Sequence, residues 1–135
     1  MINLIFIPML LHISLVALLY ILLTIVRAPK VWGIGANADG SNPFAKLEPR
    51  VSANLSNQFE WPVLFYAACI IVIARPEFYQ PVFLGFAWLF VFGRLIHSAV
   101  QIFTTNIRLR GAIFTINFIA VIGMWFVLGL KVLKQ

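Results

Sequence analysis

The sequence is dominated by four long stretches that contain almost no charged residues. The first and fourth stretches have no formal charge, the second contains only Glu60, and the third contains only Arg94. A helix needs about 20 mostly apolar residues to cross the hydrocarbon core of a bilayer. The stretches that meet this length are residues 2–26, 51–74, 78–107 and 111–130.

The composition excludes a soluble domain. Hydrophobic residues make up 62% of the 135-residue chain and charged residues only 10%, against about 45–50% and about 25% in globular proteins. So few charges cannot cover the surface of a soluble fold, and an aromatic content of 15% excludes disorder. We therefore predict an all-α, polytopic membrane protein with a single domain over residues 1–135. Its helices are expected at about 2–26, 48–74, 78–105 and 110–133.

The first apolar stretch is predicted to be a retained helix. A signal peptide has an apolar core of about 7–15 residues behind a basic head. Residues 2–26 are longer than such a core, and no Lys or Arg precedes them.

The connections predict an up-down four-helix transmembrane bundle. Residues 27–47 contain several glycines and prolines and are expected to form a long loop. The second and third connections are short, and short connections place consecutive helices antiparallel.

The distribution of Lys and Arg predicts the orientation. The first and third connections share one side of the membrane and contain six basic residues, whereas the other side contains three. Because basic residues favour the cytoplasmic side, both termini are expected outside the cytoplasm, and the short loops suggest a bacterial inner membrane. The net charge of +6 is thereby explained by topology, and no nucleic-acid partner is predicted. The six basic residues are Arg27, Lys30, Lys46, Arg50, Arg108 and Arg110.

Polar residues inside the second and third spans form one stripe on each helix. At 100° per residue, the members of each stripe fall within an arc of about 80° or less. Ionisable residues within a membrane are costly, and they are candidates for function by default. The stripes are Arg50, Asn57 and Glu60 on the second helix, and Arg94, His97 and Gln101 on the third.

The two charged residues within the spans are expected to lie at matching depths. Glu60 is about 15 Å along the helix axis from Arg50, and His97 is about 16 Å from Arg108 on the same side of the membrane. We therefore predict an ion pair between Glu60 and Arg94 near the middle of the bilayer, because pairing lowers the cost of burying both charges. The alternative interpretation is that this pair is only a structural link between helices.

Other site types have no sequence support. The chain lacks a Gly-rich phosphate loop and the CxxC, HExxH and GxSxG motifs. Its one cysteine, Cys69, has no partner for an intrachain disulfide. No metal site is predicted.

The polar stripes resemble the motifs of a known membrane family. Arg50-x6-Asn57-x2-Glu60, followed by an aromatic residue and Pro62, resembles the second-helix motif of the MAPEG family, the membrane-associated proteins in eicosanoid and glutathione metabolism. The segment from Phe92 to His97 resembles the third-helix motif of that family, and the resemblance covers essentially the whole chain.

The resemblance implies a trimer with glutathione bound between subunits near the cytoplasmic side, where a lipophilic substrate lies against the outer helices and membrane lipids surround the assembly. It implies that Arg110 stabilises the glutathione thiolate and that Glu60 takes the γ-glutamyl amine. Arg94 resembles the buried structural partner of the stripe. The residues expected to contact glutathione are Arg27, Arg50, Asn57, Glu60, His97, Gln101 and Arg108.

This chain departs from the family pattern at four positions. It has Ala53 and Ser56 where basic residues occur in family members, Gln101 in place of a tyrosine, and Gly111 in place of a serine. Arg50 or Arg108 is a candidate substitute for the lost cation. Three hypotheses therefore stand: a glutathione-dependent transferase or peroxidase, a non-catalytic lipid-binding scaffold on the same fold, and a small transporter or channel.

Overall fold

The structure is a computed structural model that describes residues 2–134. Within these residues the chain forms five α-helices and two short 3₁₀ turns, Ile2–Ile5 and Pro76–Phe78. We number the helices in chain order: α1 is Phe6–Trp32, α2 is Glu48–Asn57, α3 is Pro62–Ala74, α4 is Pro81–Phe103 and α5 is Ile107–Val132.

Four helical segments are long and apolar enough to cross a membrane. They are Asn3–Trp32, Glu48–Ala74, Pro81–Phe103 and Ile107–Val132, so α2 and α3 together make one span. This confirms the predicted all-α, four-helix transmembrane fold of a multi-pass integral membrane protein. The most extensive helix contact is between α4 and α5; α1 packs on α2 and α4, and α3 packs on α5.

The first helix extends beyond its predicted end. It continues through Arg27 and Pro29 to Trp32, and Gly33 then ends it in a left-handed conformation with φ of 69°. The Gly33 N–H donates to the Pro29 carbonyl at 3.1 Å, and glycine adopts this conformation without a steric cost. The first connection is therefore shorter than the predicted loop of residues 27–47.

The second span is not one continuous helix. It is interrupted between Asn57 and Pro62, where only short-range main-chain hydrogen bonds remain. Pro62 begins α3 and has no N–H to donate to a carbonyl of the preceding turn. We refer to residues 58–61 as the α2–α3 break.

The interior consists of two apolar clusters with polar residues between them. One cluster includes Phe65, Phe90 and Met124, and the other includes Leu19, Val51 and Ile102. The buried polar residues fall between these clusters along the helices: His12, Asn54, Gln58, Arg94, His97, Ser98, Gln101 and Asn117.

The turn between α3 and α4 is closed by an ion pair on the surface. Arg75 donates a hydrogen bond to the Glu77 carboxylate, and its guanidinium lies 5.1 Å from the centre of the Phe78 ring. The hydrogen bond from Arg75 holds the pKa of Glu77 below its usual range.

Candidate functional site

A groove between α2, α4 and α5 contains most of the predicted site residues. It consists of two adjoining cavities of about 530 Å³ and about 350 Å³. Ala53, Gln101, Ile107 and Arg110 line both cavities, so the two are parts of one depression. The larger cavity is also lined by Asn57, Glu60, His97, Gly111 and Phe114, and the smaller by Pro49, Arg50, Val100, Thr104, Thr105 and Asn106.

Six of the nine predicted site residues line this groove. They come from α2, the α2–α3 break, α4 and α5 and are up to 60 positions apart in the sequence, so the fold brings them together. The six are Arg50, Asn57, Glu60, His97, Gln101 and Arg110. The other three, Arg27, Arg94 and Arg108, are not among its lining residues.

Arg27 and Arg108 lie away from the groove. Arg27 Nε donates to Glu48 Oε1 at 3.0 Å, and its Nη2 donates to Ser52 Oγ at 3.1 Å. These contacts connect α1 to α2. Arg108 is exposed in the first turn of α5, two residues before Arg110. Because residues two apart on a helix point about 200° apart, only one of these two arginines faces the groove.

The polar side chains of the groove make few hydrogen bonds within the described part of the chain. Asn57 Nδ2 donates to Gln101 Oε1 at 3.3 Å, and Arg50 Nη1 donates to the Ile102 carbonyl at 3.4 Å. His97 is only 3% exposed, yet its Nδ1 has no hydrogen-bond partner among the described residues. Glu60 and Arg110 are both exposed.

No salt bridge joins Glu60 to Arg94 within residues 2–134, so the predicted ion pair is not formed in the single chain. Arg94 is completely buried and does not line the groove. Its Nε donates to Gln58 Oε1 at 3.1 Å, and its Nη2 donates to the Asn57 carbonyl at 2.9 Å. The reason is the α2–α3 break, which frees the Asn57 carbonyl from the helical ladder and offers Arg94 an acceptor. A cation is also favoured at the carbonyl end of a helix.

Sequence reasoning missed a buried polar network behind the groove. Its central residue is Gln58, which accepts hydrogen bonds from Arg94 and from His12 Nε2 at 3.0 Å. Asn54 and Ser98 extend the network through their side chains. His12 had no partner that the sequence could identify, because its contacts lie 46 and 54 positions away along the chain.

The hydrogen-bond partners determine which atoms of Gln58 and His12 donate and which accept. Arg94 can only donate, so the Gln58 atom facing it is the amide oxygen. The same oxygen faces His12 Nε2, which must then carry a hydrogen. His12 Nδ1 is left to accept from the Tyr66 hydroxyl at 2.7 Å. One consistent arrangement therefore connects α1, α2, α3 and α4.

The groove suits a small polar molecule that carries charges of both signs. Arg50 and Arg110 offer guanidinium groups to anions, and Glu60 offers a carboxylate to an ammonium group. Arg110 also lies in the first turn of α5, whose N-terminal end favours negative charge. Ile107 and Phe114 add apolar surface on the side of α5. No cluster of metal-ligating side chains occurs among residues 2–134.

The comparisons with known proteins give one match. A family model described as "MAPEG family" matches residues 5–130, which is nearly the whole chain. No curated protein and no solved structure matches the chain.

Proposed function

This chain belongs to the MAPEG family, whose members are glutathione-related transferases or isomerases, and we propose that it is a membrane enzyme that uses glutathione. The proposed activity is transfer of glutathione to lipophilic electrophiles, or reduction of lipophilic hydroperoxides. The single observation that supports this proposal most directly is the groove, which is lined by Arg50 and Glu60 and also by Arg110, at least 50 positions further along the sequence.

The charges of the groove fit those of glutathione. Glutathione has one ammonium group, two carboxylates and a thiol, and the groove offers one carboxylate, two guanidinium groups and several amides. We assign the ammonium group to Glu60 and a carboxylate to Arg50. We assign the Asn57 and Gln101 amides, which line the larger cavity, to the peptide groups.

Arg110 is the residue proposed to stabilise the thiolate. It lies beside both cavities, at the start of α5. A nearby cation favours the thiolate over the thiol, and the thiolate is the nucleophilic form. In the transfer reaction the thiol proton leaves to solvent, and the thiolate sulfur forms a bond to the electrophilic carbon as the leaving group departs.

The lipophilic substrate is expected to reach the groove from the membrane. Phe114 and Ile107 lie at the apolar border of the groove, and both are exposed. Such a border lets an apolar tail remain in lipid while the reactive atom approaches Arg110. We further propose a homotrimer in a bacterial inner membrane, with the groove towards the cytoplasm and both termini outside.

A non-catalytic lipid-binding scaffold is the second candidate, and Ala53 is the observation that favours it. This residue lines both cavities at their junction, where family members have a cation. Without that cation the groove is wider and less positive. A scaffold of this kind would bind lipid in the groove and would not form a thiolate.

The thiolate can be followed by its ultraviolet absorbance when the detergent-solubilised protein is mixed with glutathione. We expect a signal from the parent protein and none from Arg110→Ala. The matched control is Arg108→Ala, which removes the same charge two residues away and should leave most of the signal. A full signal from Arg110→Ala would contradict the role of Arg110, and no signal from the parent protein would favour the scaffold.

A further inference from the structure

The buried side of the α2–α3 break is organised by one side chain, Gln58, which is 2% exposed. Its Oε1 accepts hydrogen bonds from Arg94 and His12, and its Nε2 donates to Asn54 Oδ1 at 2.8 Å. Gln58 therefore contacts α1, α2 and α4 at once, although it lines neither cavity of the groove.

The neighbours of Gln58 in the sequence face the opposite way. Asn57 precedes it and Glu60 follows two residues later, and both line the groove. The main chain at this point keeps only short-range hydrogen bonds, and Pro62 has no N–H to add to them. Side-chain contacts supplement these bonds, chiefly those of Gln58 and the hydrogen bond from Arg94 to the Asn57 carbonyl.

We infer that Gln58 is a positioning residue for the glutathione site. Together with Arg94 and His12 it fixes the α2–α3 break, so that the Asn57 amide and the Glu60 carboxylate are presented to the groove. The inference rests on the proposed function and adds to it, since Gln58 itself touches no ligand. The partners of Arg94 at this point are an amide and a main-chain carbonyl, so the position of the break depends on hydrogen-bond geometry.

The test compares two substitutions of similar length. Gln58→Met removes the acceptor for Arg94 and His12, whereas Gln58→Glu keeps an acceptor oxygen in the same place. We expect Gln58→Met to weaken glutathione binding by about tenfold or more, because two buried donors lose their partner and the break relaxes. Gln58→Glu keeps the acceptor for Arg94 and His12 but loses the donor to Asn54 Oδ1, so it should recover only part of the affinity that Gln58→Met loses.

The measurements are glutathione affinity by calorimetry in detergent and turnover at saturating glutathione. A positioning role predicts a raised KM with little change in kcat, because Arg110 is untouched. Val121→Ala, in the apolar cluster away from the groove, is the matched control for lost stability. It should lower the melting temperature and leave the affinity unchanged.

Three results would overturn the inference alone: affinity like that of the parent protein in Gln58→Met, no rescue by Gln58→Glu, or an equal loss of affinity in Val121→Ala. A parent protein that binds no glutathione would overturn the proposed function, and the inference with it. The two failures are therefore distinguishable.

Discussion

At Gly93 on α4, the side chain of Asn117 on α5 lies so close that a larger residue does not fit. A Cβ atom added to Gly93 would lie 2.0 Å from Asn117 Oδ1. Asn117 is completely buried, so its amide has little freedom to move aside. Small residues at such positions are what allow transmembrane helices to pack closely.

We therefore expect Gly93→Ala to destabilise the protein by about 1–3 kcal/mol, the range for overpacking a well-filled interior. Gly85→Ala is the matched control on the same helix, because a Cβ there meets no atom within 4 Å. It should be neutral or slightly stabilising, since alanine is the better helix former. Thermal unfolding in detergent measures both, and equal melting temperatures for the two variants would contradict this account.

Arg94 is held by the Gln58 amide oxygen and the Asn57 carbonyl. Its direct contact is with Gln58 and not with Glu60. In double-mutant cycles based on Arg94→Met, we expect a coupling energy of about 1–3 kcal/mol with Gln58→Met, because the pair shares a buried, charge-assisted hydrogen bond. Coupling with Glu60→Gln should stay below about 1 kcal/mol. Denaturant unfolding measures both coupling energies. A larger coupling of Arg94 with Glu60 than with Gln58 would support the ion pair predicted from the sequence.

The residues of the groove show what the sequence can and cannot predict. Helical periodicity predicted that Asn57 and Glu60 share one face; both line the groove, although Glu60 lies in the α2–α3 break and not on a helix. It also placed Arg94 in the same stripe as His97, but Arg94 is turned inward by partners on other helices. No sequence pattern identified Gln58 and His12 as partners, because they contact each other across 46 positions of the sequence.

The α2–α3 break is a feature of the second span that hydropathy does not predict. Hydropathy is continuous enough for Glu48–Ala74 to be identified as one span, and hydropathy alone predicts one helix. Pro62 was the local signal for an interruption, because it lacks the N–H that would bond the Gln58 carbonyl, but a proline in a membrane helix need not end it. Here the Asn57 carbonyl, one residue earlier, accepts a hydrogen bond from Arg94 on another helix.

The start of α5 is held by a side-chain cap. Asn106 Oδ1 accepts a hydrogen bond from the Leu109 N–H at 2.9 Å, one residue before Arg110. Asn106→Ala should cost about 1 kcal/mol of stability, the usual value of an N-cap. Because fraying of this turn displaces Arg110, it should also reduce the thiolate signal. Asn106→Ser retains an acceptor oxygen without adding a charge to the groove and should behave like the parent protein; a full signal from Asn106→Ala would contradict the link between cap and site.

For the whole molecule, the position of Glu60 requires a covering partner. Glu60 is exposed in the single chain, yet it lies near the middle of the span Glu48–Ala74. An acidic side chain at the centre of a bilayer costs at least about 2.5–3.5 kcal/mol. The adjacent Asn57 and Gln101 add further polar groups to the same groove. We therefore expect a second copy to pack over the groove, which would remove these groups from lipid and place the groove between subunits.

This argument predicts self-association, and the resemblance to MAPEG proteins gives the number three. Native mass spectrometry in mild detergent should show a species of three times the 15.3 kDa chain mass. Because a ligand held between subunits stabilises the assembly to which it binds, glutathione should shift the dissociation of the trimer to higher temperature or harsher detergent. The Arg50→Ala and Glu60→Gln variants should lose most of that shift, since these residues are assigned to the ends of glutathione, while Arg108→Ala should keep it. Monomer alone in mild detergent would contradict the predicted assembly. A trimer whose dissociation is unchanged by glutathione would contradict a glutathione site between subunits.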